Sequence, residues 1–341
     1  MKKRLAGLIL VTLLAVGCGG AGRADEEKQS LDAARTWLAA HPPDGINAPQ
    51  RRQRMAIIQN AADRLTPRQY HRYAAACTTR PAVADRMEKS GILYYLKTAT
   101  DRAIADIHRT KVRKGLAVWH IYNVGYVFKT PDTCFGIDLC LRDGQRLVHD
   151  LDFLLVSHGH SDHVSPELMD AMIKAGKPVV TSFRAGSRRL NMKRATTRPV
   201  EMRFGSARVR IDIGDHHHND PKQRDNMLMF QVDCPSAGRT FTIYHSGDGS
   251  NLDKISPDRP VDVLIFHVSV GLPVERTIRK VDARMALVSH VLELGHSPTP
   301  PQAWRWSYDF AFNAFKTIPE ERATVLTWGE RWLAPGSKVG E

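Results

Sequence analysis

No stretch of this 341-residue chain is long and apolar enough to cross a bilayer as a helix. The one candidate run, Leu5 to Val16, falls short of the roughly 20 residues a span requires. Cysteine is scarce, at five residues, and no Cys-x-x-Cys occurs, which disfavours a thiolate zinc site or a dithiol redox pair. No repeat and no low-complexity tract appears. No RNA- or DNA-binding motif accompanies the formal net charge of +13, so nucleic acid is not an expected partner. The basic excess reads first as solvated surface charge. The partners it would favour are anionic lipid, envelope polymer or a phosphorylated small molecule.

The start, Met1-Lys2-Lys3-Arg4 followed by the short apolar run, has the form of a secretory signal peptide. Leu14-Ala15-Val16-Gly17-Cys18 resembles a bacterial lipoprotein box, with Cys18 as the lipidated residue and Ala15 where Leu is usual. The plainer reading is ordinary cleavage nearby, for instance after Ala24. Residues 1–24 are therefore set apart as a lipoprotein-type signal segment. The expectation is an exported protein, a periplasmic or cell-envelope lipoprotein of a bacterium, anchored to a membrane at Cys18. Loss of residues 1–17 removes Lys2, Lys3 and Arg4 and leaves a formal charge of +10. An exported compartment permits disulfides. If residues 134–140 form one strand, however, Cys134 and Cys140 lie roughly 20 Å apart, beyond disulfide reach.

Residues 25–114 read as a helical, basic region, with 17 Lys+Arg against 10 Asp+Glu. Thr66-Pro67-Arg68-Gln69 carries an N-cap, a proline and a Gln in the capping-box position. The region shows no chemistry of its own and is expected to pack on the main domain or shape its entrance. From Gly115 to about residue 335 the texture changes. Strands are predicted at 116–122, 125–130, 135–139, 152–157, 177–181, 208–213, 227–232, 240–244, 261–267 and 284–289, and helices at 166–175 and 300–316. Strands that first run consecutively and then alternate with helices indicate an α/β (α+β) domain with a sizeable core.

The densest chemistry is His158-Gly159-His160-Ser161-Asp162-His163, three imidazoles and a carboxylate in six residues of a chain holding 15 His. The apolar Phe153-Leu154-Leu155-Val156 precedes it, and a helix begins after Ser165-Pro166, so the cluster occupies a strand-to-helix loop. His158 and His160, two apart on an extended segment, point the same way toward one ion. Asp162 and His163 follow the bend and can reach a second. Three further predicted strands end in ligand types: Gly214-Asp215-His216-His217-His218, His245-Ser246-Gly247-Asp248-Gly249, and His290. Convergence of several strand ends on one edge is how an α/β scaffold builds a site.

This ordered set, H-x-H-x-D-H, then His, then Asp, then His, each after a strand, resembles the metallo-β-lactamase-fold superfamily of metal-dependent hydrolases over residues 116–335. Tyr244-His245-Ser246-Gly247-Asp248 is most similar to the branch containing L-ascorbate 6-phosphate lactonase, although Gly249 stands where that branch often has Thr. The resemblance implies a four-layer αβ/βα sandwich with the helical region as an N-terminal extension. It also implies that His158, His160 and one of the His216–His218 triplet hold a first metal. Asp162, His163 and His290 would hold a second, with Asp248 bridging. His216 is favoured within the triplet, with His217 and His218 still open. His245 would support the ligands, face substrate, or be plainly structural. His267 stands at another strand end and could line the pocket; His120, Asn123 and His296 are weaker candidates.

The implied cofactor is a pair of Zn²⁺ ions, with Mn²⁺ or Fe²⁺ as alternatives, since neutral imidazole with carboxylate suits zinc. The related diiron flavoproteins usually carry Glu at the position of His160, which argues against that redox variant. Zinc can lower the pKa of bound water from 15.7 toward about 7 and stabilise a developing oxyanion. Asp162 and His245 are the candidate catalytic groups, Asp162 to orient the nucleophile or take a proton. The expected activity is metal-dependent hydrolysis of an ester, lactone or phosphodiester-type bond in a small-molecule or lipid substrate, with an anionic substrate favoured. Two rival expectations are an envelope binding protein with a structural or vestigial metal site, and β-lactam hydrolysis within the same fold.

Overall fold

The computed structural model describes residues 19–43, 49–182, 194–195, 198–300 and 304–340. The lipoprotein-type box and Cys18 lie outside the described residues. Among the described residues, no helix is long and apolar enough to cross a membrane.

The chain begins with helices α1 (Gly19–Ala40), α2 (Pro49–Asp63), α3 (Pro67–Thr79), α4 (Pro81–Met87) and α5 (Gly91–Arg109). Strands β1 (Lys111–Lys114), β2 (Ala117–His120), β3 (Tyr126–Lys129), β4 (Cys134–Ile137) and β5 (Phe153–Leu155) follow, then α6 (Pro166–Lys174), β6 (Val179–Thr181) and β7 (Arg194–Ala195). Next come β8 (Val200–Phe204), β9 (Ala207–Gly214), β10 (Met227–Ser236), β11 (Arg239–His245) and β12 (Val263–Phe266). The chain closes with α7 (Val274–Lys280), β13 (Met285–Val288), α8 (Tyr308–Ala314), β14 (Ala323–Thr324), β15 (Arg331–Leu333) and β16 (Lys338–Gly340).

Two seven-stranded mixed sheets form the centre, ordered β15-β2-β3-β4-β5-β6-β7 and β14-β13-β12-β11-β10-β9-β8. In the first, β15 through β4 pair antiparallel and β4 through β7 parallel. In the second, β8 through β11 pair antiparallel and β11 through β14 parallel. The parallel strands are apolar on both faces because both faces are covered. Leu264 and Phe266 of β12 pack outward on the helices, while Val263 and Ile265 pack inward between the sheets. Phe128, Phe135 and Phe153 stack across β3, β4 and β5 at ring separations of 4.8 and 4.9 Å. On the other outer face, Leu168, Met169 and Met172 of α6 and Ile104 and Ile107 of α5 cover Trp119, Val127 and Leu154. The result is the α/β four-layer αβ/βα sandwich that the resemblance implied.

Local signals behave as their chemistry requires. Gln69 N–H donates to Thr66 Oγ1, and Thr66 N–H donates to Gln69 Oε1 at 2.8 Å, closing the capping box of α3. Ser165 caps α6. The described cysteines, Cys77, Cys134, Cys140 and Cys234, are free thiols. Three expectations change. The predicted strand 135–139 ends at Ile137, because Asp138 takes a left-handed φ of 49°. The helix predicted over 300–316 is confined among the described residues to Tyr308–Ala314, since Trp306 also has a positive φ, of 42°, and Ser307 is the N-cap. Strand pairing also reaches past both ends of 115–335, where β1 pairs with β16. The Lys111-Val112-Arg113-Lys114 segment carries too little apolar pattern to reveal this, with Val112 alone buried.

The helical region covers one outer face of the second sheet. Leu31, Leu38, Met55, Ile58, Tyr73 and Leu93 share one core with Leu264, Phe266 and Val288. A buried bidentate ion pair, Arg51 Nη1 and Nη2 to Glu330 Oε1 and Oε2 at 2.8 Å each, ties α2 to the C-terminal segment.

Candidate metal centre

The site lies where β5, β9, β11 and β13 end on one edge of the sandwich. His158, His160, Asp162 and His163 follow β5, His216 follows β9, Asp248 follows β11 and His290 follows β13. The structure gathers these seven residues into two adjoining groups. His158, His160, His216 and Asp248 form one and Asp162, His163 and His290 the other, with candidate ligand atoms within 4.8 Å of one another in each.

Asp248 divides its carboxylate between the groups. Its Oδ2 lies 3.3 Å from His216 Nε2 and 3.7 Å from His158 Nε2. Its Oδ1 lies 3.0 Å from His290 Nε2 and 3.3 Å from His163 Nε2. Asp162 Oδ2 lies 3.3 Å from His163 Nε2 and 3.6 Å from His290 Nε2. His158 Nε2, both ring nitrogens of His216 and Asp248 Oδ1 are buried without a hydrogen-bond partner. Buried polar atoms are normally satisfied, and the unpartnered His158 Nε2 and His216 Nε2, both beside Asp248 Oδ2, fit a divalent cation held by nitrogen and oxygen donors.

The turn that delivers Asp248 depends on a glycine. Gly247 has a φ of +51°, and a Cβ there would meet Met227 Cε at 2.5 Å and Ser157 Cβ at 2.9 Å. Gly247 N–H donates to His245 Nδ1 at 3.0 Å, and His245 Nε2 faces the Val124 carbonyl at 3.5 Å. His245, expected among the catalytic groups, is fully buried, with both nitrogens engaged by the backbone. It supports the Asp248 turn from behind. Burial holds its pKa down at about 4, so it is a neutral acceptor. Within the triplet, His216 is the member that faces Asp248. His217 is exposed against the His216 ring, and His218 Nδ1 is 3.1 Å from Ser250 Oγ.

One buried carboxylate that the sequence did not single out organises both groups. Asp138, at the left-handed end of β4, accepts from the Ser157 N–H at 2.6 Å and the Ser157 hydroxyl at 2.7 Å. Its Oδ2 is also 3.0 Å from His163 Nδ1. Ser157 Oγ in turn lies 3.0 Å from His158 Nδ1. This chain of contacts directs the Nδ1 protons of His158 and His163 away from the centre and leaves their Nε2 lone pairs facing it. The signal for it was a carboxylate at a strand end beside the strand that carries the cluster.

The electrostatics follow from burial opposed by charge. Burial, then the neighbouring His163, push the His158 pKa down to about 3. His290 is buried too, but the Asp248 carboxylate and hydrogen bonds to Asp162 and Asp248 outweigh desolvation and hold it up at about 9. Asp248 and Asp162 stay ionised despite burial: the imidazoles of His290 and His163 hold Asp248 well below the usual carboxylate range, and His163 does the same for Asp162. Of the weaker candidates, His267 stacks on His290 at 3.9 Å, and Asn123 Nδ2 donates to Asp162 Oδ2 at 3.3 Å. His120 is buried under the Asn123 loop, its Nε2 2.9 Å from the Asn123 carbonyl oxygen. The same oxygen accepts from the His290 N–H at 3.1 Å.

Residues 141–290 match the family model described as "Beta-lactamase superfamily domain". No curated protein matches the sequence. Among solved structures, the chain is similar to a "possible metal-dependent hydrolase" from Veillonella parvula, at 16% identity and a TM-score of 0.49, covering 64% of this chain and 99% of that one. It is similar to an isothiocyanate hydrolase from Delia radicum gut bacteria, at 16% identity and a TM-score of 0.44, covering 64% and 99%. It is also similar to CmlA, a diiron β-hydroxylase from Streptomyces venezuelae, at 14% identity and a TM-score of 0.42, covering 64% and 54%. At these identities none of the three speaks to activity.

Proposed function

With a β-lactamase superfamily domain over residues 141–290 as the premise, we propose that the protein is a two-metal hydrolase. The observation that carries this reading is Asp248, one carboxylate with an oxygen on each ligand group. His158, His160 and His216 would hold one ion, Asp162, His163 and His290 the other, and Asp248 would bridge. We take zinc as the metal on the strength of the imidazole-rich donor set. Ions bound there would supply Lewis acidity and lower the pKa of water toward neutrality.

The remaining work falls to the chain itself. Asp138 and Ser157 fix ring orientation. Asn123 donates to Asp162 Oδ2, leaving Oδ1 to orient the attacking water. His267 and Trp306 wall the His290 side and keep bulk water from it, their rings 4.6 Å apart. Two divalent ions would outweigh the ionised Asp138, Asp162 and Asp248 by one positive charge, which favours an anionic substrate or a substrate that becomes anionic in the transition state.

The substrate class we propose is an ester, lactone or phosphodiester, with a phosphoester, phospholipid or lactone ahead of a β-lactam. Tyr244-His245-Ser246-Gly247-Asp248 and its likeness to the L-ascorbate 6-phosphate lactonase branch support that order. We further propose export and anchoring at Cys18, supported by the basic start, the short apolar run and the box that ends in Cys18. The test is metal analysis together with a hydrolysis panel of p-nitrophenyl phosphodiesters, lactones, phospholipids and a chromogenic β-lactam. The expected result is two metals per chain and turnover that is lost in His160→Ala. Protein that neither carries metal as purified nor gains it on adding zinc refutes the reading.

A further inference from the structure

Trp306 stands against the His290 end of the centre with its side chain partly exposed. Its ring lies edge-on to three imidazoles, His267 at 4.6 Å, His296 at 5.2 Å and His290 at 5.9 Å. His267 and His290, stacked on each other at 3.9 Å, are both buried. The indole and the half-buried His296 are thus the members of this group that meet solvent. The position is costly for the backbone. Trp306 has a φ of 42°, and Leu292, whose N–H donates to the Trp306 carbonyl at 3.0 Å, has a φ of 56°. A left-handed φ strains a bulky residue, whereas glycine adopts it freely. The chain on either side is nevertheless fixed. Arg305 Nη2 donates to the Leu294 and His296 carbonyls at 3.2 and 3.0 Å, and Ser307 caps α8. The loop after β12 adds to the same surroundings: Ser269 Oγ lies 3.0 Å from His267 Nδ1, and its neighbours Val268 and Val270 are partly exposed apolar side chains.

We infer that Trp306 is a specificity-determining residue that holds a hydrocarbon chain of the substrate, so that the substrate is an amphiphile with its anionic ester group at the ligand groups and its chain on the indole; this rests on the hydrolase reading. Position, exposure and strain together carry the assignment. The ring touches the environment of His290, so a chain lying on it starts beside the group that is hydrolysed. A side chain that only filled the core would not need to meet solvent. Strained bulky residues persist where the surrounding structure forces them, and they cluster at ligand clamps. The indole is suited to such a clamp because it offers a wide, rigid, apolar face at little cost in side-chain entropy. Taking a methylene fully out of water gains about fourfold in affinity. One covered on a single face gains about half that free energy, roughly twofold per methylene.

The test measures binding of alkylphosphonates, from methyl to octyl, to the zinc-loaded full chain by calorimetry. The phosphonate supplies the anionic head and is not turned over, so the readout is independent of activity. Wild type is expected to bind about twofold more tightly for each added methylene. Trp306→Gly relaxes the backbone while deleting the ring. It should bind methylphosphonate within about threefold of wild type and lose most of the gain with chain length, and Trp306→Phe should keep about half of that gain. Zinc stoichiometry and thermal melts establish that each variant is loaded and folded. A second measurement needs no variant: in wild type, octylphosphonate should lower hydroxyl-radical oxidation of Trp306 severalfold, and methylphosphonate should not. A flat series in wild type, an unchanged slope in Trp306→Gly, or equal oxidation of Trp306 with and without octylphosphonate overturns the assignment while the hydrolase reading stands. Wild-type protein that takes up no zinc and binds no phosphonate overturns both.

Discussion

Asp138→Asn is the sharpest test of how the centre is organised. The amide keeps the size of the side chain, and one oxygen can still accept from the Ser157 N–H, a contact of 2.6 Å. The other position becomes an NH₂ facing His163 Nδ1 at the present 3.0 Å. A donor there forces Nδ1 to accept, so the ring proton moves to Nε2, the atom that faces Asp162, Asp248 and His290. A proton on Nε2 blocks the lone pair a metal needs. The Ser157 hydroxyl, which donates to Asp138 Oδ2 and contacts His158 Nδ1, loses its charged acceptor as well, so the effect reaches the first group. Removing such a support typically costs 10–100-fold in metal affinity, about 1–3 kcal/mol, close to the worth of one charge-assisted hydrogen bond. The larger loss belongs at the Asp162/His163/His290 group. Chelator competition with two resolvable binding steps measures it, alongside thermal melts to show that the fold persists. Affinities within about threefold of wild type at both steps, in folded protein, would refute the argument.

Two further outcomes follow from buried charge elsewhere. Arg305 is buried, and its guanidinium donates to the carbonyls of Ala62, Leu65, Leu294 and His296. Arg305→Met would leave four carbonyls short of a donor while recovering the cost of burying a cation, a net loss of about 3–5 kcal/mol that denaturant unfolding would read; a change under about 1 kcal/mol contradicts it. Metal-stripped protein should be most stable near pH 6.5. Below that, His120 and His245, both held neutral by burial with pKa about 4, bind fewer protons folded than unfolded, so stability falls by about 2 kcal/mol per histidine by pH 5. Above it, His290, raised to about 9, gives up stability that is fully present below 6.5, about 3 kcal/mol by pH 9. A flat urea midpoint from pH 5 to 9 would contradict both signs.

The sequence made the ligand groups legible because metal chemistry concentrates rare residue types at strand ends, and His158-Gly159-His160-Ser161-Asp162-His163 needs no tertiary knowledge to stand out. It also made the central strands legible, since β12 and β13 are apolar on both faces. What escaped was whatever depends on contact across the fold. Asp138 reads as an ordinary polar residue in a strand, and its role exists only because β4 pairs with β5 and brings Ser157 alongside. The choice among His216, His217 and His218 turned on which ring the loop buries toward Asp248. His245 sits in a ligand-rich motif and yet serves the backbone, a distinction that burial alone makes. β1 and β16, short and polar, are strands because they have each other.

The helical region was expected to pack on the domain or shape its entrance, and the contacts join it to the loops that matter. Arg51 of α2 pairs with Glu330, and Glu330 Oε2 accepts from the Thr327 N–H at 2.7 Å, while the Glu330 carbonyl accepts from the His120 N–H. His120 in turn contacts the Asn123 carbonyl that receives the His290 N–H. From the other end of α2, Arg305 gathers the carbonyls of Ala62 and Leu65 together with those of Leu294 and His296. The cationic guanidinium sits at a helix C-terminus, where the peptide dipoles favour positive charge. Two arginines therefore fasten one helix to both sides of the segment that carries His290. A domain trimmed to residues 115–335 would lose both clamps and the apolar layer under β12 and β13. The helices are thus a structural part of the edge that carries the candidate metal ligands, although among the described residues they contribute none of them.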